Sequence, residues 1–356
     1  MNGERAVAHV VSDSASPPPD WDARAVEVRG GHVMQSATWG SLRAAAGYEP
    51  HHLAFDDGGV ALALLRRSAG LPGVEAVVRR GPVTGDAGAD TAAARAEALA
   101  GWAVEHGARS LFLDPEMPAD PAYGDRMAAA GFEAVDGLEP SIHVMRLAFP
   151  SEIDEAGLLH GFSKSTRQRI RAAEAAGTTV TETDDPSRMT AFAQLLHERA
   201  DVLGMQLQAG TGFVAAWGAL IRAGLARLLL AEHEGELVGG LLLFRQGGIQ
   251  ATAYSADRAD RRRDLPGTMH LVRWRAIHDA WAAGCPAIEL GGVDLPGHRS
   301  PPAKGDPSRG LYEHKRGFGA EWVERESPHR IVLRPGAERL ARVRRRALDL
   351  LAGMRR

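Results

Sequence analysis

The sequence predicts an α/β (α+β) chain built as two similar tandem domains, each a mostly antiparallel mixed sheet flanked by helices, with a cleft between them. Short apolar runs bounded by Gly, Pro and Asp alternate with helical periodicity over 356 residues, a length that suggests two domains. An order of meander, helix and strand occurs twice. Trp102, Gly107 and Asp114 recur in pattern as Trp281, Gly284 and Glu289, which reads as an internal duplication. Hydrophobic content of 44% and charged content of 24% leave room for two cores.

Residues 1–20, with Ser-Ala-Ser-Pro-Pro-Pro, read as a flexible leader. The first domain is expected over 21–150. A helix from Gln35 to Ala46 has Ser36 as its N-cap, Trp39 and Leu42 inward and Gly47 as its stop. The runs His51 to Phe55, Val60 to Arg66 and Glu75 to Arg80, separated by Asp-Asp-Gly-Gly and Gly-Leu-Pro-Gly, form an antiparallel meander. Next come a helix from Thr91 to His106, a strand from Ser110 to Leu113 closed by Asp114-Pro115, a helix from Ala122 to Ala130 and a strand from Ile142 to Leu147.

The second domain is expected over 151–334. It opens on a basic run in which Lys164, Arg167 and Arg171 share one helical face. Such a face can meet the phosphates of RNA. A strand from Thr178 to Glu182, helices at 186–203 and 211–223, strands at 226–232, 236–244 and 249–256, a helix from Pro266 to Ala283 and a strand from Ala287 to Leu290 repeat the first plan. Two further strands are expected at Glu321 to Glu326 and Arg330 to Leu333. Residues 335–356 read as an Arg-rich helix with Leu340, Val343, Leu348, Leu351 and Met354 on its apolar side, suited to RNA, an anionic membrane or the body of the protein.

Composition narrows the function. A net charge of -3 and a pI near 6.5 give no global basic field, so any contact with RNA needs a local patch. One cysteine, Cys285, excludes an intrachain disulfide and a Cys-rich zinc site. No apolar run is long enough to span a bilayer and no secretory signal opens the chain, so a cytoplasmic location is expected. His-Glu-x-x-His and Walker-type motifs are missing, and His51 and His52 should project to opposite faces of a strand, so no metal is expected.

The stretch from Gly284 to Gly319 carries the chemistry. Its strand ends in Glu289 and opens into a loop through Gly291 and Gly292, where glycine permits positive φ or close backbone approach. Leu311 and Lys315 lie four apart, an apolar anchor beneath an ammonium that could hold a phosphate or a developing oxyanion. Asp114 and Asp294 are the candidate bases. Arg261, Arg262 and Arg263 precede the Pro266 helix, whose start suits an anion. Spaced glycines are missing there, which argues against coenzyme A, and no cofactor is expected.

Three ordered blocks resemble a known family. Met34-Gln35-Ser36, Trp39, Gly47-Tyr48 and Arg80-Gly81-Pro82-Val83 form the first, and Ser165-Thr166-Arg167 before Gly177 the second. Gly291-Gly292-Val293, Gly310-Leu311-Tyr312, Lys315 and Phe318-Gly319 form the third. Together they resemble the Fem-type peptidoglycan bridge aminoacyltransferases, in a compact form with no helical arm between Arg171 and Met205. The resemblance implies two tandem acyltransferase-like (GNAT-like) domains. It also implies transfer of an amino acid from aminoacyl-tRNA to the side-chain amine of the stem peptide of a peptidoglycan precursor, lipid II or UDP-MurNAc-pentapeptide. Under it Lys315, with Asp114 or Asp294, is catalytic. Trp39, Arg43, Tyr254, Arg262 or Arg263, Gly291, Gly292 and Tyr312 would bind the precursor, and Lys164, Arg167 and Arg171 the tRNA. Peripheral contact with the inner membrane surface would suit a lipid-linked acceptor. The alternatives are a tRNA-dependent enzyme building a peptide metabolite, a coenzyme A-dependent N-acyltransferase and a non-catalytic binding module.

Overall fold

The computed structural model describes residues 5–67, 70, 73–202 and 212–353, with side chains given through residue 344. Its elements begin with β1 (Val10–Ser14), α1 (Trp21–Ala25), a 3-10 turn (Val33–Gln35), α2 (Ala37–Ala45), β2 (Glu49–Phe55), β3 (Val60–Arg67) and β4 (Val74–Val78). α3 (Ala89–Glu105), β5 (Ala108–Leu113), α4 (Pro121–Ala129), β6 (Glu133–Ala134), β7 (Val144–Ala148), α5 (Glu155–Gly161) and α6 (Lys164–Ala175) follow. Then come β8 (Thr179–Thr183), α7 (Pro186–Val202), α8 (Phe213–Arg222), β9 (Ala226–His233), β10 (Glu236–Gln246) and β11 (Ile249–Asp257). The series ends with α9 (Thr268–Ala282), β12 (Ala287–Glu289), α10 (Arg309–Arg316), β13 (Glu321–Val323), β14 (His329–Val332) and α11 (Pro335–Gly353). The ends of the two helices expected to meet near residues 203–211, the tip of the Gly-Leu-Pro-Gly turn at Leu71 and Pro72, and Met205 lie outside the described residues.

Two units result, Met1–Leu138 with Arg325–Arg356 and Glu139–Glu324. Each holds a seven-stranded sheet, ordered β1-β2-β3-β4-β5-β14-β6 in the first and β8-β9-β10-β11-β12-β7-β13 in the second. The two orders match place for place. Four antiparallel strands meet a parallel neighbour, β4 with β5 and β11 with β12, and two antiparallel strands complete each sheet.

The sixth place in each sheet is exchanged. The strand expected at Ile142 to Leu147 as the end of the first domain forms as β7 in the second sheet, paired with Ala287–Glu289. The strand expected at Arg330 to Leu333 in the second domain forms as β14 in the first, paired with Ser110–Leu113. The expected limits at 150 and 334 therefore move to 138 and 324. Each of these strands is paired on both sides in its sheet, and the choice of sheet rests on contacts far apart in the sequence, which a local pattern does not encode.

Residues expected as a flexible leader supply β1, which pairs with β2 from Val10↔Phe55 to Ser14↔His52. Its middle side chains are exposed, so backbone hydrogen bonds hold it and no apolar alternation announces it. Elsewhere the period of two builds the cores. Ala61, Ala63 and Leu65 of β3 pack toward α3, whereas Leu62 lies against Gly40 of α2. Leu229, Leu241 and Leu243 pack with Ile170 of α6 and Val272 of α9; Leu228, Leu230 and Leu242 pack with Phe192 of α7 and Trp217 of α8. Each such leucine is worth about 1.5–3 kcal/mol against exposure.

The first turns of α11 dock on the first unit. Its buried Glu338 accepts from Arg109 Nε at 3.1 Å and from Arg330 Nη2 at 2.7 Å. Leu340 and Val343, expected on the inward side, are 50% and 65% exposed, because Glu338 and Ala341 occupy the inward face instead. The side chains of Leu348, Leu351 and Met354 lie outside those described. Among the described residues no helix is long and apolar enough to cross a membrane.

Candidate active site

The second sheet is open where its two parallel strands part. β11 and β12 pair only at Gln250↔Ile288 and Ala251↔Glu289; β12 then ends while β11 runs on to Asp257. A bulge at Ala253 sets Thr252 opposite Leu243 and Tyr254 opposite Leu242. The extra residue turns Thr252 and Ser255 to the same face. Arg273 of α9 enters the gap, its Nη1 donating to Leu290 O and its Nη2 to Ser255 Oγ, both at 3.4 Å.

Lys315 lies beside this guanidinium. It is buried, and its Nζ donates to Gly292 O at 2.7 Å. Gly291 adopts φ +78, and a Cβ built on it would meet Lys315 Nζ at 3.5 Å and Thr252 O at 3.4 Å. Gly292 is tight for another reason. A Cβ there would meet Ser141 Cβ at 2.2 Å and His143 O at 2.6 Å, so protein rather than ligand fills the space beside it. Leu311, expected as the anchor under Lys315, is 43% exposed; burial itself fixes the ammonium.

Two carboxylates flank these cations. Asp294 is buried, and its Oδ2 accepts from Ile142 N at 3.0 Å and Arg299 Nη1 at 2.8 Å. Asp257, the carboxylate that acts on Arg273, is held by Arg262 through bonds of 2.7 and 2.6 Å. Asp257 thus stands against Arg262 and Arg273, and Asp294 against Arg299 and Lys315. Burial, and next the Arg273 charge, push the Lys315 ammonium well below its ordinary range, and Asp294 only partly opposes them. Burial lowers Arg273 to about 10. Three buried polar atoms here, Thr252 Oγ1, Arg273 Nε and Asp294 Oδ1, have no hydrogen-bond partner. A buried polar atom left unpaired costs about 1–3 kcal/mol, so these three atoms single out this strand end as a candidate site.

Two histidines border the centre. His314 Nδ1 lies 3.2 Å from His270 Nε2, and both rings pack on Phe318. Burial, followed by nearby cations, lowers His270 to about 4 and His314 to about 2, so the pair is neutral near pH 7.

Other candidates fall elsewhere. Tyr254 packs against Phe213 and Trp217 on the opposite face of the sheet. Tyr312 packs on the core of this unit, with the Arg309 guanidinium 5.1 Å from its ring centre. Arg262 is committed to Asp257, whereas Arg263 is exposed with no carboxylate partner among the described residues. On α6, Thr166, Ile170 and Ala173 face inward and leave Lys164 and Arg171 exposed. Arg167 caps α5 by donating to His160 O at 2.9 Å and to Phe162 O, so its hydrogen-bonding edge is turned to the backbone.

In the first unit the candidates form separate structural groups. Asp114 is buried, and both its oxygens accept, from Arg80 N and from Arg79 Nε at 3.2 Å. Burial raises its pKa, against the pull of the two arginines. Ser36 caps α2 by accepting from Trp39 N at 3.0 Å, as expected. The Arg43 guanidinium lies 4.2 Å from the Tyr48 ring centre and 5.8 Å from that of Trp39. Gln35, a residue of the resembled block, is fully buried and clips Leu62 to Arg79 through its amide. Sequence reasoning missed Arg273 and Thr252. The available signal for Arg273 was a charge among Leu271, Val272, Ala276 and Ile277 on the buried side of a helix.

Residues 161–316 match the family described as the acetyltransferase (GNAT) domain. The crystal structure of FemX aligns with a TM-score of 0.76 at 19% identity, covering 93% of this chain and 99% of that one. The fold is Fem-type. L-PGS from Bacillus licheniformis aligns more loosely (TM-score 0.53, 13% identity, 93% and 97% coverage). So does the C-terminal domain of a putative lysylphosphatidylglycerol synthetase from Agrobacterium fabrum (0.51, 16%, 86% and 91%). No curated protein matches the chain. The repeated seven-stranded order is thus that of tandem acyltransferase-like domains, and the opened strand pair lies inside the matched segment.

Proposed function

We propose that this chain, with its Fem-type fold, is an aminoacyltransferase that moves an amino acid from aminoacyl-tRNA to the side-chain amine of the stem peptide of a peptidoglycan precursor, lipid II or UDP-MurNAc-pentapeptide. The observation that carries the reading is the pair of buried donors, Lys315 and Arg273, set side by side where β11 and β12 part. Attack of the acceptor amine on the ester carbonyl forms a C–N bond and moves an electron pair onto the carbonyl oxygen. Buried donors already fixed in place stabilise that oxyanion far better than water does, because they need no reorganisation. Collapse of the intermediate expels the tRNA ribose oxygen. The amine's proton must leave for the attack to succeed. Asp294 suits that role better than Asp114, since its Oδ1 is unpartnered while both oxygens of Asp114 accept.

The exposed cations Arg263, Lys164 and Arg171 supply phosphate contacts, with Arg43 on its aromatic platform as a further one. On α11, exposed Leu340 and Val343 beside Arg339 and Arg342 suit contact with an anionic membrane surface, where a lipid-linked acceptor would lie. The GNAT-domain match favours one competing reading, a coenzyme A-dependent N-acyltransferase. A single assay separates the two. Purified protein is incubated with UDP-MurNAc-pentapeptide or lipid II and either radiolabelled aminoacyl-tRNAs or labelled acetyl-coenzyme A. Label should reach the precursor from aminoacyl-tRNA alone; transfer from acetyl-coenzyme A alone would overturn the proposal.

A further inference from the structure

The first unit brings together three residues from separate elements, Asp13 of β1, His51 of β2 and His106 just after α3. One ligand atom from each lies within 4.8 Å of the others. Asp13 Oδ1 is 2.8 Å from His51 Nδ1, and Asp13 Oδ2 is 3.3 Å from His106 Nε2. The surroundings set the tautomer of His106. Its Nδ1 lies 2.8 Å from Trp102 O, an acceptor only, so Nδ1 carries the hydrogen and the neutral ring turns its Nε2 lone pair toward the Asp13 carboxylate. Two acceptors facing each other at that distance need a proton or a metal ion between them.

We propose that Asp13, His51 and His106 form a site for a divalent transition metal of the zinc type, apart from the transfer chemistry proposed above. Two imidazoles and a carboxylate are the donor set such ions take, with bonds of about 2.0–2.2 Å and water at the open position. The supporting shell is in place. Trp102 O orients His106, Trp102 Nε1 donates to Asp13 Oδ2 at 2.9 Å, and Glu49 Oε1 stands 3.5 Å from His51 Nε2, where it can take that ring's hydrogen once Nδ1 binds metal. His51 is buried and Asp13 is exposed, so the ion can enter from solvent. The bound ion clamps β1, an edge strand held otherwise mostly through its backbone, to β2 and to the end of α3.

The test uses the full chain, free of any histidine tag, with Co²⁺ and Zn²⁺ as probes. Co²⁺ should bind at one equivalent with visible d–d absorption, Zn²⁺ should displace it, and Zn²⁺ should raise Tm. His106→Gln and Asp13→Asn should each weaken binding by about tenfold or more and abolish the Tm shift, while His278→Gln in the other unit leaves both unchanged. If Asp13→Asn fails to fold, His106→Gln reads the same site. No saturable binding by the wild type, or equal binding by these variants, overturns the proposal and leaves a protonated His106 as the link.

Discussion

Where β4 and β5 run parallel, five residue pairs from Val74↔Ala108 to Val78↔Leu113 hold them together; where β11 and β12 do so, two pairs precede the gap that Arg273 enters. These are the same places in two sheets of one order. In the first unit the residue after β5 is Asp114, whose two oxygens accept from Arg79 and Arg80, while the oxygens of Glu116 take Arg80 at 3.3 Å and Arg325. All four carboxylate oxygens have partners, and that strand end is closed by ion pairs. In the second unit the corresponding turn is Leu290-Gly291-Gly292, and beside it Asp294 Oδ1 has no hydrogen-bond partner among the described residues. On the proposed reading, one copy of the fold serves structure and the other the transfer chemistry. The difference lies in which carboxylate oxygens are satisfied beside one strand end.

The comparison can be broken most directly at Lys315. Lys315→Ala should lower transfer by about 10²- to 10³-fold, with the far-UV CD spectrum unchanged. Unaltered turnover would make the buried lysine a structural residue like those of the first unit.

Acid should weaken the open unit through its histidines. An unfolded histidine titrates near 6.5, but burial holds His270 at about 4 and His314 lower still. The folded state then binds fewer protons than the unfolded one, so the stability is present above pH 6.5 and is lost as pH falls toward 4. Chemical denaturation across that window should show the loss reduced by roughly 3 kcal/mol for each ring replaced, as His270→Leu, His314→Leu or both. An unchanged slope would mean that the pair is charged in the fold.

Gly292→Ala should cost about 1–3 kcal/mol of stability, because its methyl group has no room beside Ser141 and His143. Urea midpoints test this, and a neutral result would mean that the loop bearing Gly292 can give way. Arg273→Met separates function from stability. Transfer should fall by about tenfold, 1.4 kcal/mol, while stability holds or rises, since an apolar side chain replaces a buried cation. A large loss of stability would place Arg273 with the structural arginines. Smallest of all, Arg263→Ala should raise KM for a phosphorylated precursor by about three- to tenfold and Arg262→Ala by less, because Asp257 already holds Arg262. Equal effects would remove that distinction.

Much of this was legible in the sequence. The helix capped by Ser36, the meander of β2, β3 and β4, and the doubled order of elements all follow from short-range pattern. Gly291, Gly292, Asp294 and Lys315 stand within one stretch, and the structure brings them together. Arg273 and Thr252 come from elements that meet this stretch only in three dimensions. The Asp13, His51 and His106 group is likewise assembled from an edge strand, its neighbour and a helix end, although His51 and His52 do point to opposite faces, toward Trp102 and Trp21 respectively.

By itself the sequence determined the elements, their repetition and the glycine turn beside the lysine, because periodicity, capping and backbone freedom act over a few residues. Tertiary structure decided which sheet received β7 and which received β14, since that choice rests on contacts far apart in the sequence. It also decided which charges were neutralised. Ion pairing depends on distance and burial in space, and Arg262, so like its neighbours in the sequence, differs from Arg263 only because Asp257 is within reach.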